Sequence, residues 1–202
     1  MPTRVPGGAG GARLYLPPFR FDVVLRPRVP RVVPLHGLAE VARRALLAAG
    51  APAPATVGLI LSDDAELTRL NRQAMGVEGP TDVLSFPLLP AAAFPPHEGQ
   101  AAAQLAGTAG GAVAAGPAEG FVLPPGTRPH LGEIVVSVER AITQAEAGRG
   151  GQTGDVRWSP ADELRLLVAH GALHLCGWDH AAPAEQAAMR SLEQRILEGA
   201  PA

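Results

Sequence analysis

Three histidines stand close together in the last fifth of the chain, at His170, His174 and His180. The first two are four residues apart in a stretch with helical patterning, so their imidazoles project from one helix face, one turn apart. Gly177 follows where this helix must end, because a residue without a side chain readily adopts the left-handed turn that returns the chain. The spacing predicts that all three imidazoles ligate one metal ion.

Three neutral nitrogen ligands favour one zinc ion per chain, with a fourth position open for water, as in catalytic zinc sites. Asp179 precedes the third ligand and is expected to orient a ligand by hydrogen bonding. Cys176 lies about 200° around the helix from His174, so buried packing is its predicted role. The other histidines stand alone and receive no role in metal binding: His36, His97 and His130.

The composition restricts the class of protein. The chain has 202 residues, a formal net charge of −2 and one cysteine, so a single ordinary domain is expected. The small net charge excludes a protein that coats nucleic acid through bulk positive charge. One cysteine forms no internal disulfide and the first residues lack an apolar signal segment, which predicts a cytoplasmic protein. No stretch is apolar enough to span a bilayer, so no membrane partner is expected.

Strands and helices alternate along the chain and must position the histidines. Apolar runs predict strands over 19–25, 56–61, 82–86 and 131–138. Apolar residues at helical spacing predict helices over 35–49, 63–75, 159–175 and 183–197, with a short helix ending near 147. This order predicts an α/β (α+β) layer fold with one core, and therefore a single domain.

Two segments are predicted to lie outside the core of this domain. Residues 1–18 are rich in Gly and Pro and are interpreted as a flexible N-terminal tail. Residues 91–128 contain 12 Ala, 7 Gly and 5 Pro, with too few large apolar side chains to offset the entropy of ordering. We interpret them as a low-complexity insertion whose deletion leaves stability nearly unchanged. A single metal-dependent hydrolase domain is therefore predicted over 19–198.

The histidine spacing matches the H-E-x-x-H-x-x-G-x-x-H motif of zinc peptidases at every defined position but one. Their glutamate after the first histidine is the general base of peptide hydrolysis. Gly171 occupies that position here, and glycine accepts no proton. A metallopeptidase is therefore the less favoured alternative.

The sequence HGALHLCGWDH at 170–180 resembles the histidine motif of the bacterial YbeY family. The sequences LN at 70–71, PTDVLSFP at 80–87 and LGEIVVS at 131–137 resemble the same family in the same order. The resemblance extends over roughly 20–90 and 130–198.

This resemblance implies a zinc-dependent endoribonuclease specific for single-stranded RNA, acting in small-subunit ribosomal RNA maturation and ribosome quality control. It implies His170, His174 and His180 as zinc ligands, ribosomal RNA as partner, and ribosomal proteins as further partners. The implied fold is an α/β (α+β) single domain, in which helices flank a small mixed β-sheet and a zincin-like helix holds the metal. By the same resemblance, three residues are neighbours of the site, none of them assigned as general base: Asp82, Ser85 and Glu133.

The chain departs from the family pattern at two positions. Members commonly carry an arginine immediately before Gly76, thought to contact RNA, where this chain has Met75. Arg72 lies three residues earlier, on the same side of the predicted helix. We predict that Arg72 and Ser85 line the substrate groove. The family usually has aspartate in place of Glu133, a change that keeps the carboxylate.

Phosphodiester cleavage suits an open zinc site, because zinc stabilises the anionic transition state and lowers the pKa of its water to about 7. The nucleophile is either this water or the RNA 2′-hydroxyl, and no residue is assigned as general base. The main alternative is a non-catalytic ribosome assembly factor whose fold zinc stabilises, and the loss of the usual arginine at Met75 keeps this alternative open. Comparing cleavage with binding on one RNA separates these hypotheses.

Overall fold

Six strands and five α-helices form the part of the chain that the computed structural model describes, residues 3–4, 10–97, 127–148 and 158–199. The strands are β1 Thr3–Arg4, β2 Gly10–Leu16, β3 Phe19–Leu25, β4 Ala55–Ser62, β5 Val83–Pro87 and β6 His130–Ser137. The helices are α1 Leu35–Ala48, α2 Asp64–Met75, α3 Val138–Glu146, α4 Pro160–Leu175 and α5 Pro183–Glu198. No helix in these ranges is both long and apolar enough to cross a membrane.

The strands form one mixed sheet in the order β1-β2-β3-β4-β6-β5. The central strands β3, β4 and β6 are parallel, and β1, β2 and β5 pair antiparallel with their neighbours. Helix α1 lies between β3 and β4 in the chain, as a crossover between parallel strands requires. The predicted single α/β domain with a small mixed sheet and flanking helices is confirmed.

The core lies between the sheet and three helices. Strand β3 directs Phe19, Phe21 and Val23 inward, each at most 1% exposed, as its alternation predicts. Helix α1 packs against β2 and β3, α4 packs against β5 and β6, and α5 packs against both helices. Helix α4 also packs against α1 and α3, so the sheet and three helices hold it and fix the direction of its histidines.

The predicted flexible tail over 1–18 differs from the structure at residues 10–16. These residues form β2, which pairs with β3 along its whole length. Leu14 and Leu16 are partly buried against the core, whereas Tyr15 between them is exposed. Their alternation is the signal of a strand, and the Gly and Pro residues around it obscure that signal.

The predicted insertion over 91–128 is ordered at both of its described ends. Ala91–Ala93 form a short 3-10 helix, and Phe94 is 5% exposed within the main core. Arg128 donates a hydrogen bond to the Pro18 carbonyl at 3.0 Å, while residues 98–126 lie outside the described ranges. The structure contradicts the expectation that all of 91–128 is dispensable, because losing a buried phenylalanine costs about 3 kcal/mol.

Candidate metal centre

Helix α4 carries the first two histidines, and a capping box fixes its start. The Ser159 hydroxyl accepts a hydrogen bond from the Asp162 N–H at 3.2 Å, and the Asp162 carboxylate accepts one from the Ser159 N–H at 3.1 Å. Pro160 occupies the first helical position, where its missing N–H has no cost. The predicted start is confirmed, and the helix places His170 and His174 on one face near its end.

A glycine turn ends α4 and returns the chain to the histidines. Gly177 has a φ of 82°, in the left-handed region that favours glycine, and its N–H donates to the His174 carbonyl at 3.0 Å. The Asp179 carboxylate accepts a hydrogen bond from the His180 N–H at 2.7 Å. Asp179 therefore fixes the backbone of the turn, whereas the sequence predicts a hydrogen bond to a ligand side chain.

The three imidazoles converge on one point. One ring nitrogen from each of His170, His174 and His180 lies within 4.8 Å of the other two, and the Nε2 atoms of His170 and His174 are 3.0 Å apart. Two nitrogen ligands of a tetrahedral zinc ion lie about 3.3 Å apart, because each Zn–N bond is about 2.0–2.1 Å long. This donor set fits such an ion, and the structure brings together the side chains that the spacing singles out.

Burial keeps His174 in the neutral form that ligates a metal. Its pKa is lowered to about 4, chiefly by burial and then by the His170 and His180 imidazoles. The Asp179 carboxylate and a backbone hydrogen bond at Trp178 oppose this lowering. At neutral pH the ring therefore keeps a nitrogen lone pair, as metal ligation requires.

A cleft of about 200 Å³ opens beside the imidazoles. Its lining combines the helices α4 and α5 with the start of β5: Asp82, Leu166, Leu167, His170, His180, Gln186, Met189, Arg190 and Glu193. The Arg190 side chain is exposed and has no hydrogen bond or ion pair to any described residue. A free guanidinium next to a metal site is suited to bind an anion such as phosphate.

Asp82 is held in the cleft by hydrogen bonds to both carboxylate oxygens. One oxygen accepts from the Val83 N–H at 2.9 Å, and the other accepts from the Gln144 side chain at 3.0 Å. The Asp82 carbonyl also accepts from the Ser137 N–H at 2.8 Å. This carboxylate is therefore fixed in direction, which agrees with its expected place near the site.

Other residues singled out by the sequence do not line the cleft. The Ser85 hydroxyl donates to the Gly171 carbonyl at 2.9 Å and joins β5 to α4. Arg72 is exposed on α2, outside the cleft lining. Glu133 forms a hydrogen bond with His130 at 2.8 Å and is likewise absent from the lining.

Cys176 packs as the sequence predicts. Its side chain is fully buried, and burial raises the pKa of its thiol to about 12. A thiol that keeps its proton is a poor metal ligand. Within the described residues, Cys176 is not part of the metal-binding cluster.

Gly171 allows α4 to approach the sheet closely. A Cβ atom at this position would lie 2.7 Å from Ile134 Cγ2 and 3.1 Å from Ser85 Oγ and Val83 Cγ2. Position 171 therefore faces the sheet at a contact distance that leaves no space for a side chain. The glutamate that serves zinc peptidases as general base does not fit here.

Glu193 is a site residue that the sequence analysis does not find. Its carboxylate lies 2.7 Å from Nδ1 of His170. It occupies the buried stripe of α5 between Met189 and Ile196, which are 1% and 3% exposed. An acid on an apolar helical stripe is a signal that the sequence does offer.

His97 packs against the turn that follows the metal helix, although the sequence analysis assigns it no role. Its ring stacks on Trp178, with ring centroids 4.2 Å apart and an interplanar angle of 6°. Its Nε2 lies 3.4 Å from the Cys176 carbonyl, and burial lowers the pKa of the ring. The contact supports the turn between His174 and His180 from outside the cleft.

Several proteins similar in sequence to this chain carry the same name. The family model described as "Endoribonuclease YbeY" matches residues 35–200. The protein with this name from Roseiflexus sp. (strain RS-1) is 37% identical over 145 residues, covering 71% of this chain and 69% of that protein. Its namesake from Chloroflexus aurantiacus (strain ATCC 29366 / DSM 635 / J-10-fl) is 37% identical over 162 residues, covering 79% and 83%. The solution structure of TM1509 from Thermotoga maritima aligns with a TM-score of 0.41 and 22% identity, covering 81% of this chain and 75% of that one.

Proposed function

The chain belongs to the YbeY family of endoribonucleases, and on this premise we propose that it is a zinc-dependent endoribonuclease specific for single-stranded RNA. We propose that it acts in small-subunit ribosomal RNA maturation and in ribosome quality control, in the cytoplasm, with ribosomal proteins as further partners. Its hydrolase domain is proposed to cover residues 10–198, because β2 belongs to the same sheet as β3. Its metal ligands are proposed to be His170, His174 and His180.

One observation carries this proposal, the convergence of three imidazoles beside a cleft that also contains a free guanidinium. When bound, zinc supplies a water of lowered pKa and stabilises negative charge on a phosphoryl oxygen. Arg190 is the cation in the cleft lining that has no partner among the described residues, so it is placed to bind a phosphate. Asp82 is the lining carboxylate without a histidine contact, which makes it the candidate proton acceptor.

Removing the metal tests the proposed function directly. We expect chelator-treated protein to lose cleavage of a single-stranded RNA by at least about 10²-fold, because the metal contributes several kcal/mol of transition-state stabilisation. Adding Zn²⁺ should restore cleavage, whereas Mg²⁺ should not, since imidazole ligands favour zinc over a cation that prefers oxygen. The measurements are zinc content by elemental analysis and initial rates on single-stranded and duplex RNA of one sequence.

The same assay separates the alternatives. Protein that binds zinc and RNA but cleaves neither the single-stranded nor the duplex RNA would support the non-catalytic assembly factor. Cleavage that is unchanged in protein free of metal would contradict the proposed role of zinc. A fluorogenic peptide assay tests the metallopeptidase hypothesis. The close packing around Gly171 argues against this hypothesis, because it leaves no space for the catalytic glutamate.

Arg190→Ala is expected to weaken RNA binding about tenfold, because a charge-assisted hydrogen bond to phosphate contributes about 1.5 kcal/mol. The slope of log affinity against log salt concentration should fall by about one, since one fewer counterion is released. Arg195→Ala is the matched control, as an exposed arginine on the same helix outside the cleft lining. Binding is measured on metal-free protein so that the RNA stays intact.

The two residues that the sequence predicts to line the substrate groove, Arg72 and Ser85, are tested in the same RNA-binding assay. We propose Arg72 as a second phosphate contact, so Arg72→Ala should also lower affinity and the salt slope. Ser85→Ala should leave affinity unchanged if its hydroxyl serves only the Gly171 carbonyl. Equal binding by Arg190→Ala and its parent would remove Arg190 from the substrate site.

A further inference from the structure

Glu193 is an acid in an apolar setting. It lies on α5, where Met189, Leu192 and Ile196 pack into the main core, and its side chain is 11% exposed. A buried carboxylate is costly unless a hydrogen bond or opposite charge compensates it. Among the described residues its hydrogen-bond partner is His170. The contact with this imidazole therefore compensates the cost of burying the Glu193 carboxylate.

The direction of this hydrogen bond determines which nitrogen of His170 faces the metal. The carboxylate is an acceptor, so Nδ1 carries the proton and donates to Glu193 across 2.7 Å. The lone pair of a neutral ring then resides on Nε2, which lies 3.0 Å from Nε2 of His174. Ligation through Nε2 therefore requires the tautomer that Glu193 selects.

The two other acids near the site contact other groups. The Asp179 carboxylate accepts from the His180 N–H, and the Asp82 carboxylate accepts from the Val83 N–H and the Gln144 side chain. Glu193 lies on α5, outside the histidine motif. The packing of α5 on α4 brings its carboxylate to His170 and so orients this ring.

We propose that Glu193 is the positioning residue of the metal centre. It holds the His170 ring with Nε2 directed at the ion and thereby raises zinc affinity. This inference rests on the proposed zinc site, and carboxylates bonded to ligating histidines typically change metal affinity 10–100-fold.

Zinc affinity of three variants tests the proposal, by competition with a chromophoric chelator. Glu193→Ala should bind Zn²⁺ about 10–100-fold more weakly than the parent. Glu193→Gln keeps the shape and one acceptor oxygen but loses the charge, so its loss should be smaller and its fold intact. Glu198→Gln is the matched control, an exposed acid on the same helix, and should bind as the parent does. Parent-like affinity of Glu193→Ala would overturn the proposal.

The ring tautomer gives a second readout that needs no metal. In metal-free protein, ¹⁵N chemical shifts of the imidazoles should show the His170 proton on Nδ1 in the parent. In folded Glu193→Ala, or in Glu193→Leu if the alanine variant unfolds, no side-chain acceptor faces Nδ1, and the shifts should move toward a mixture of both tautomers. An unchanged tautomer in a folded variant without this acceptor would overturn the proposal. A parent that binds no zinc would instead contradict the proposed function, and the tautomer would still test the role of Glu193.

Discussion

His174→Ala is expected to abolish zinc binding and to lower RNA cleavage by at least about 10³-fold. Burial lowers the pKa of His174 to about 4, which keeps the ring neutral at all pH values near 7. Its Nε2 lies 3.0 Å from that of His170, so its removal leaves two nitrogen donors in place of three. Two donors hold zinc weakly, because affinity depends on ligand number and geometry.

The fold should survive this substitution. The main core draws on the sheet and on α1, α4 and α5, and His174 is one partly exposed residue at the end of α4. Circular dichroism should remain as in the parent. The parent should melt at higher temperature when Zn²⁺ is added, because ligand binding stabilises the native state, and the variant should lose that increase.

His36→Ala is the matched control for this experiment. His36 is exposed on α1 and does not belong to the metal-binding cluster of the described residues, so zinc content and cleavage should match the parent. Cleavage by His174→Ala at the parent's rate, in preparations free of contaminating ribonuclease, would exclude the endonuclease mechanism. The assembly factor would then be the better explanation.

Local sequence signals were sufficient to predict the elements that hold the histidines. Ser159, Pro160 and Asp162 specify the start of α4 through contacts within four residues, and Gly177 specifies its end through its own backbone. Such signals depend on near neighbours in the chain, so they are readable without the fold. The convergence of His180 on α4 follows from the same short segment.

Contacts between distant segments could not be predicted in this way. Glu193 meets His170 across 23 positions of sequence, and only the packing of α5 on α4 makes them neighbours. Phe94 belongs to the core although the composition around it is typical of disorder. Strand β2 is likewise ordered by pairing with β3, because a sheet partner stabilises residues whose own composition favours a loop.

Gly171→Glu is expected to destabilise the protein by about 4 kcal/mol or more and to create no peptidase. The substitution restores the H-E-x-x-H sequence of zinc peptidases, yet position 171 faces β5 and β6 rather than the cleft. Its Cβ would lie 2.7 Å from Ile134 Cγ2, and Ile134 is fully buried. Overpacking of this kind costs about 1–3 kcal/mol, and a carboxylate without a partner inside the core adds at least as much.

Gly171→Ala measures the steric cost of a side chain at position 171 without the charge of glutamate, and Gly37→Ala is its control. Gly171→Ala gains about 1 kcal/mol of helix propensity but meets two β-branched side chains that have little freedom to move, so a net loss of about 1–2 kcal/mol is expected. Gly37→Ala, in α1, meets no atom within 4 Å and should be neutral or stabilising by up to about 1 kcal/mol. Urea unfolding measures all three free energies, with a fluorogenic peptide assay on each folded variant. A Gly171→Glu protein that is as stable as its parent and cleaves peptides would contradict this prediction. It would show that α4 can move away from the sheet. The close contact at Gly171 would then no longer explain why this site lacks the general base of the peptidases.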